Sequence, residues 1–140
     1  MQNVQPAKFD KEFLDQLSEQ AKASPRLRMH FDLRDSVDEG AMRMLNALEP
    51  GTVIPFHRHN ETSEDVVCLR GCVEEVFYDA DGNETECYRL QPGTDCCACH
   101  VPMGQYHTCR SLESHSVIIE FKHGRYDPLT TEDFLEQPTT

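Results

Sequence analysis

His57-Arg58-His59 is the stretch of this 140-residue chain with the plainest chemistry. On an extended backbone, residues two apart share a face, so both imidazoles project to one side and Arg58 to the other. Two imidazoles so placed can grip one metal ion without distorting the chain. A carboxylate follows at Glu64, beyond the polar run Asn60-Glu61-Thr62-Ser63, and a third imidazole stands at His107. Three neutral histidines and one carboxylate suit a divalent first-row ion: Zn, Fe, Mn, Ni or Co. Taken alone, a histidine pair at this spacing is equally compatible with two exposed side chains on a strand.

A second set of residues could move protons or hold a ligand. Glu120 and Lys122 share a strand face with Ile118, and Lys122 is the only lysine after Lys22. An inward face would make them a general acid/base pair beside the metal; an outward face would make them a solvated strand edge. Tyr126 is a third candidate for proton transfer, while Arg28 and Arg43 are candidates for substrate contact. Cys96-Cys97-Ala98-Cys99-His100 meets the C-x-x-C-H pattern of c-type haem attachment. That attachment requires export, so the expected role is small buried hydrophobes on a strand. Cys97 and Cys99 would then share one face, and Cys96, Ala98 and His100 the other.

These groups need elements to position them. Apolar residues at Phe9, Phe13, Leu14, Leu17 and Ala21 predict a helix over 8–23, ended by Ser24-Pro25. Short runs of β-type residues follow at 26–33, 41–48, 51–56, 65–70, 72–78, 84–90, 95–101, 106–111 and 115–122. Asp79-Ala80-Asp81-Gly82-Asn83 is a hairpin signal between two of them. The expected class is dominated by β structure, a sandwich or barrel with one N-terminal helix. One domain is expected: an arm over 1–40, a barrel over 41–126 and a surface tail over 127–140.

The spacing of the candidate ligands resembles the cupin superfamily. Its first motif, G-x5-H-x-H-x(3,4)-E-x6-G, is met in full by Gly51, His57, His59, Glu64 and Gly71. Its second, G-x5-P-x-G-x2-H-x3-N, is met by Pro102, Gly104 and His107. Eight residues separate Gly93 from Pro102 where the pattern has five, and Ser111 replaces the usual Asn. Within the cupins, three flanking segments resemble the WbuC family: 24–28, 43–52 and 120–128. That resemblance, over roughly residues 7–130, implies a jelly-roll barrel with a metal in its mouth. It also implies an association with O-antigen and other surface polysaccharides. Cupins often dimerise through sheet edges, so a homodimer is expected.

Charge excludes several classes of partner. The chain has 13 Lys+Arg against 25 Asp+Glu, a net charge of −12, and no basic stripe for nucleic acid or an anionic membrane. Glu74, Glu75, Asp79, Asp81, Glu84 and Glu86 crowd one hairpin, where a solvated surface is expected. Residues 1–25 offer no apolar secretory core, and the seven cysteines read as free thiols, so a cytoplasmic protein is expected.

Three functions follow. The first is a metal-dependent enzyme of isomerase or epimerase type, acting on a sugar or nucleotide-sugar with the ion as Lewis acid. The second is a non-haem iron dioxygenase. The third is a non-catalytic module that binds a carbohydrate-like small molecule.

Overall fold

The computed structural model describes residues 7–124, 129 and 133–135. The helix, α1, forms over Lys11–Ala23. Asp10 caps it by accepting a hydrogen bond from the Phe13 N–H at 3.0 Å, while Glu12 and Lys22 complement its dipole. It stops at Ser24 because the residue before a proline avoids helical geometry.

Among the described residues eight strands follow: β1 (Arg28–Asp32), β2 (Ala41–Leu48), β3 (Glu64–Arg70), β4 (Val73–Tyr78), β5 (Glu84–Leu90), β6 (Ala98–Val101), β7 (Tyr106–Ser111) and β8 (Ser116–His123). They form a five-stranded sheet of order β1-β2-β8-β3-β6 and a three-stranded sheet of order β5-β4-β7, with every pairing antiparallel. The two sheets face each other in jelly-roll fashion without closing into a hydrogen-bonded barrel. The β4–β5 hairpin turns where predicted, with the Asp79 N–H bonded to the Asn83 carbonyl at 2.9 Å.

Both faces of the larger sheet are covered. Leu45, Ala47, Val117 and Ile119 pack beneath Leu14, Leu17 and Ala21 of α1. Arg70 ties that helix down, reaching Asp15 at 2.7 Å and the Ser18 hydroxyl at 3.1 Å. The opposite face carries Leu48, Val66, Cys68 and Ile118, which meet Val73, Phe77, Leu90 and Cys109 from the smaller sheet.

Period-two alternation decides what lies beyond this core. Moving along the same inward faces, Leu48 gives way to Asn46, Val66 to Glu64, Ile118 to Glu120 and Lys122, and Cys109 to His107. Val73 and Phe77 flank Glu75 in the same way. All six polar side chains line one pocket. The apolar half of the interior is the floor on which the polar half stands.

Three expectations need correction. Residues 51–56 form no strand. Pro55 has no N–H to give a ladder, and the segment is held instead by a Thr108 hydroxyl bond to the Ile54 carbonyl at 2.6 Å and by isolated bridges from His57 to His107 and to Phe134. Strand β6 begins only at Ala98, so Cys96 and Cys99 both lean on the core while Cys97 is exposed. Part of the expected surface tail is also inside, since Asp133 is buried.

Candidate metal centre

The His57–His59 segment lies along the free edge of β7. His57 and His107 exchange both backbone hydrogen bonds, at 3.0 and 2.8 Å, and the Gly104 N–H bonds the His59 carbonyl at 2.8 Å. On its other side the segment meets the C-terminal residues. Arg58 N–H donates to the Asp133 carbonyl and Leu135 N–H to that of Phe56, each at 2.9 Å, and Phe134 bridges His57. Asn60 Nδ2 adds a bond to Asp133 Oδ1 at 2.7 Å. The histidine pair thus sits on a short extended ribbon clamped between two chain-distant partners.

The three rings converge. Their centroids lie 4.4 Å apart for His57 and His107, 5.1 Å for His57 and His59, and 5.8 Å for His59 and His107. His57 Nδ1 lies 2.8 Å from the Pro55 carbonyl and His107 Nδ1 lies 2.9 Å from that of Gln105. A carbonyl only accepts, so each ring donates from Nδ1 and turns Nε2 inward. Among the described residues, one nitrogen from each ring lies within 4.8 Å of the others.

Glu64 completes the set from the start of β3. Its Oε1 is 3.1 Å from His107 Nε2, and its Oε2 is 3.8 Å from His59 Nε2 and 3.4 Å from Lys122 Nζ. Lys122 is there because β3 and β8 pair Glu64 directly opposite it. Lys122 Nζ also lies 3.9 Å from Glu120 Oε2, and Glu120 lines the pocket. Both side chains therefore face inward.

Burial and charge set the protonation states. Burial depresses His57 to about 3 and, with Lys122 adding repulsion, His59 to about 4. Both rings are therefore neutral, the state in which imidazole ligates a metal. Burial alone would also lower His107, but the Glu64 carboxylate beside it outweighs this and lifts it to about 9. Reciprocally, burial opposes ionisation of Glu64, yet His107 and Lys122 hold its carboxyl well below the usual range. Burial, reinforced by the Glu64 charge, raises Glu120 to about 7. Burial likewise raises Glu75 to about 8.

The remaining candidates divide. Arg28 lines the pocket, where Nη1 donates to the Val53 carbonyl at 2.9 Å. Arg43 does not reach it. It lies on the face of β2 shared with Leu45 and Ala47, away from the cavity, and pairs with Glu39. Tyr126 lies outside the described residues. Two pocket residues escaped the sequence analysis. Glu75, expected on a solvated hairpin, is 2% exposed. Asn46 lines the cavity beside Glu120. The Glu75 position was marked by the Val73-x-Glu75-x-Phe77 alternation, which puts it on an apolar face.

The donor set fits a metal ion. His59 Nε2 is buried with no hydrogen-bond partner among the described residues, and His107 Nε2, equally buried, faces the Glu64 carboxylate at 3.1 Å. An orphaned buried nitrogen is a costly condition that a cation relieves. His57, His59, His107 and Glu64 are the residues that would hold it. The His107 proton must then leave. At pH 7, metal binding is expected to release at least about one proton per ion, falling as the pH passes about 9. Calorimetry in buffers of different ionisation enthalpy measures this, and a buffer-independent heat would remove His107 from the ligand set.

The model of a family described as a domain of unknown function (DUF6016) matches residues 9–90. The chain belongs to the DUF6016 family. The matched span carries His59 and, of the pocket, His57, Glu64 and Glu75, while His107, Glu120 and Lys122 come from beyond it. No curated protein sequence matches this DUF6016 chain. Solved structures share its fold. KdgF from Halomonas sp. is 22% identical with a TM-score of 0.57, over 74% of this chain and 84% of that one. The capsular polysaccharide assembling protein CapF from Staphylococcus aureus is 21% identical with a TM-score of 0.65, over 81% of this chain. This chain spans 33% of CapF. Bacillus subtilis oxalate decarboxylase, a protein with Mn(II) centres, is 15% identical with a TM-score of 0.55, over 78% of this chain and 27% of that one. The architecture is the cupin jelly roll. No helix among the described residues is long and apolar enough to cross a membrane.

Proposed function

We propose that the protein is a metal-dependent cupin acting on a small carbohydrate-like substrate, with the ion held by His57, His59, His107 and Glu64. The observation that carries the metal reading is the convergence of the three ring nitrogens within 4.8 Å of one another, with His59 Nε2 buried and without a hydrogen-bond partner among the described residues. A bound divalent ion would supply Lewis acidity toward a carbonyl or vicinal hydroxyls. The likeness of the flanking segments to the WbuC family supports the sugar assignment, as does the shared fold of a capsular polysaccharide assembling protein.

The protein's own groups would do the rest. The cavity is about 150 Å³, well under the roughly 300–1,000 Å³ that encloses a drug-sized ligand. It admits one sugar ring or a part of one, so the nucleotide of a nucleotide-sugar would lie outside. Arg28, at the wall, offers a guanidinium to a carboxylate or phosphate oxygen. Glu120, titrating near neutrality, holds a proton it can give or recover, and Lys122 beside it favours the ionised form.

Metal analysis of the isolated protein, followed by a panel of sugars and sugar nucleotides, tests this reading. Turnover or saturable binding of one class is expected. A protein that holds no metal, or that binds none of the panel when loaded, overturns it. Glu120→Gln should lower turnover by about 10²–10⁴-fold with metal content unchanged. An equal loss of metal would make Glu120 a structural support instead.

A further inference from the structure

Glu75 has no part in the ligand set above, yet its burial is harder to account for than that of Glu64. It projects from β4 into the pocket and is 2% exposed; the Cys109 thiol bonds its carboxyl, but its Oε2 has no hydrogen-bond partner among the described residues. Lys122 lies beside Glu64 and Glu120, and no ion pair of Glu75 is found among the described residues. A buried carboxyl oxygen without a donor is destabilising unless something occupies the space it faces.

The geometry identifies that space. Oxygens of Glu64 and Glu75 and a nitrogen of His107, all three buried, lie within 4.8 Å of one another. Two ligands of one ion sit at most about 4 to 5 Å apart, twice a metal–ligand bond. The rings of His57 and His59 make a second such group with His107, and neither carboxylate belongs to it. One triad is all nitrogen. The other has two oxygens and one nitrogen. His107 stands in both, and its single inward nitrogen can serve only one ion at a time.

We propose that the pocket holds a divalent ion at either of two adjoining positions sharing His107. One is rich in nitrogen, with His57 and His59; the other is rich in oxygen, with Glu64 and Glu75, and takes the harder ion. Softness sorts the ions between them: imidazole suits Zn(II), whereas carboxylate suits Mn(II). Glu75 is then a ligand for Mn(II) and a bystander for Zn(II). The proposal rests on the metal-binding reading of the site and deepens it by dividing the four-residue ligand set: Glu64 passes to the oxygen-rich position, and His57 and His59 stay with the nitrogen-rich one.

The test uses the metal ions alone as probes. Mn(II) binding is followed by electron paramagnetic resonance and Zn(II) binding by competition with a chromophoric chelator, for the wild-type protein, Glu75→Gln and His57→Ala. Glu75→Gln should weaken Mn(II) by about tenfold or more while Zn(II) changes less than about threefold, and His57→Ala should do the reverse. Should Glu75→Gln alter both ions equally, or neither, the second position does not exist. Anomalous diffraction from wild-type crystals soaked in each ion is independent of how the variants fold. It should place Mn(II) nearer the Glu75 carboxylate than Zn(II), and coincident peaks overturn the proposal. Wild-type protein that binds neither ion would overturn the metal-binding reading itself, whereas equal variant effects would overturn only the second position.

Discussion

His107→Ala will cost more metal affinity than any other single truncation in the pocket, by at least about a hundredfold for every ion tested. The reason is that, among the described residues, His107 alone belongs to both groups of candidate ligands. His57 contributes to one group only, and so does Glu75. The substitution also removes the positive partner of Glu64, leaving that carboxylate beside Lys122 and a small cavity at a position 2% exposed. The backbone pairing of residues 57 and 107 survives, because it uses no side-chain atom. Folding is therefore expected to persist at reduced stability. Metal content by elemental analysis, with a circular dichroism spectrum as control, reads the result. Retention of metal at near wild-type stoichiometry would remove His107 from the ligand set.

Gly71→Ala will be among the most destabilising changes outside the pocket. Gly71 has φ +82° at the β3–β4 turn, and a Cβ there would lie 2.3 Å from Ser116 Oγ and 2.7 Å from Ser116 Cα. Ser116 cannot step aside. It is fully buried, and its hydroxyl is engaged with the Cys72 N–H at 3.1 Å and the Glu113 carbonyl at 2.8 Å. Left-handed strain and overpacking together predict a loss of about 2–5 kcal/mol. Gly82→Ala is the control, since Gly82 has φ +86° with nothing within 4 Å of the added carbon. It should lose only about 1 kcal/mol. Urea denaturation compares the two, and equal losses would remove the steric account.

Much of this was legible in the sequence because it rests on local rules. Pro25 ends the helix, Asp79–Asn83 turns the hairpin, and the spacing from His57 to Glu64 is short enough to read directly. The strand at 51–56 misled because Val53, Ile54 and Phe56 have β character, while the missing N–H of Pro55 removes the ladder. The orientation of Glu120 and Lys122 stayed open for a different reason. Which face of β8 turns inward depends on its pairing with β2 and β3, and that register is a property of the assembled sheet. Glu75 was hidden by its neighbour Glu74, a pair whose charge suggested solvent although their faces are opposite. Arg43 failed by the same one-residue logic, sitting one step out of phase with Asn46 and the pocket.

The clamp on the histidine ribbon bears on the order in which the site is made. His57 is fixed on one side by residue 107 and on the other by residue 134, so its position depends on contacts that close loops of about fifty and about eighty residues. Such distant contacts form late in folding, after local hairpins such as β4–β5. On a ribosome, the ligand geometry would wait until the segment at 133–135 has emerged. Until that segment has docked the donors stay apart, and the ion would be chosen only after it has.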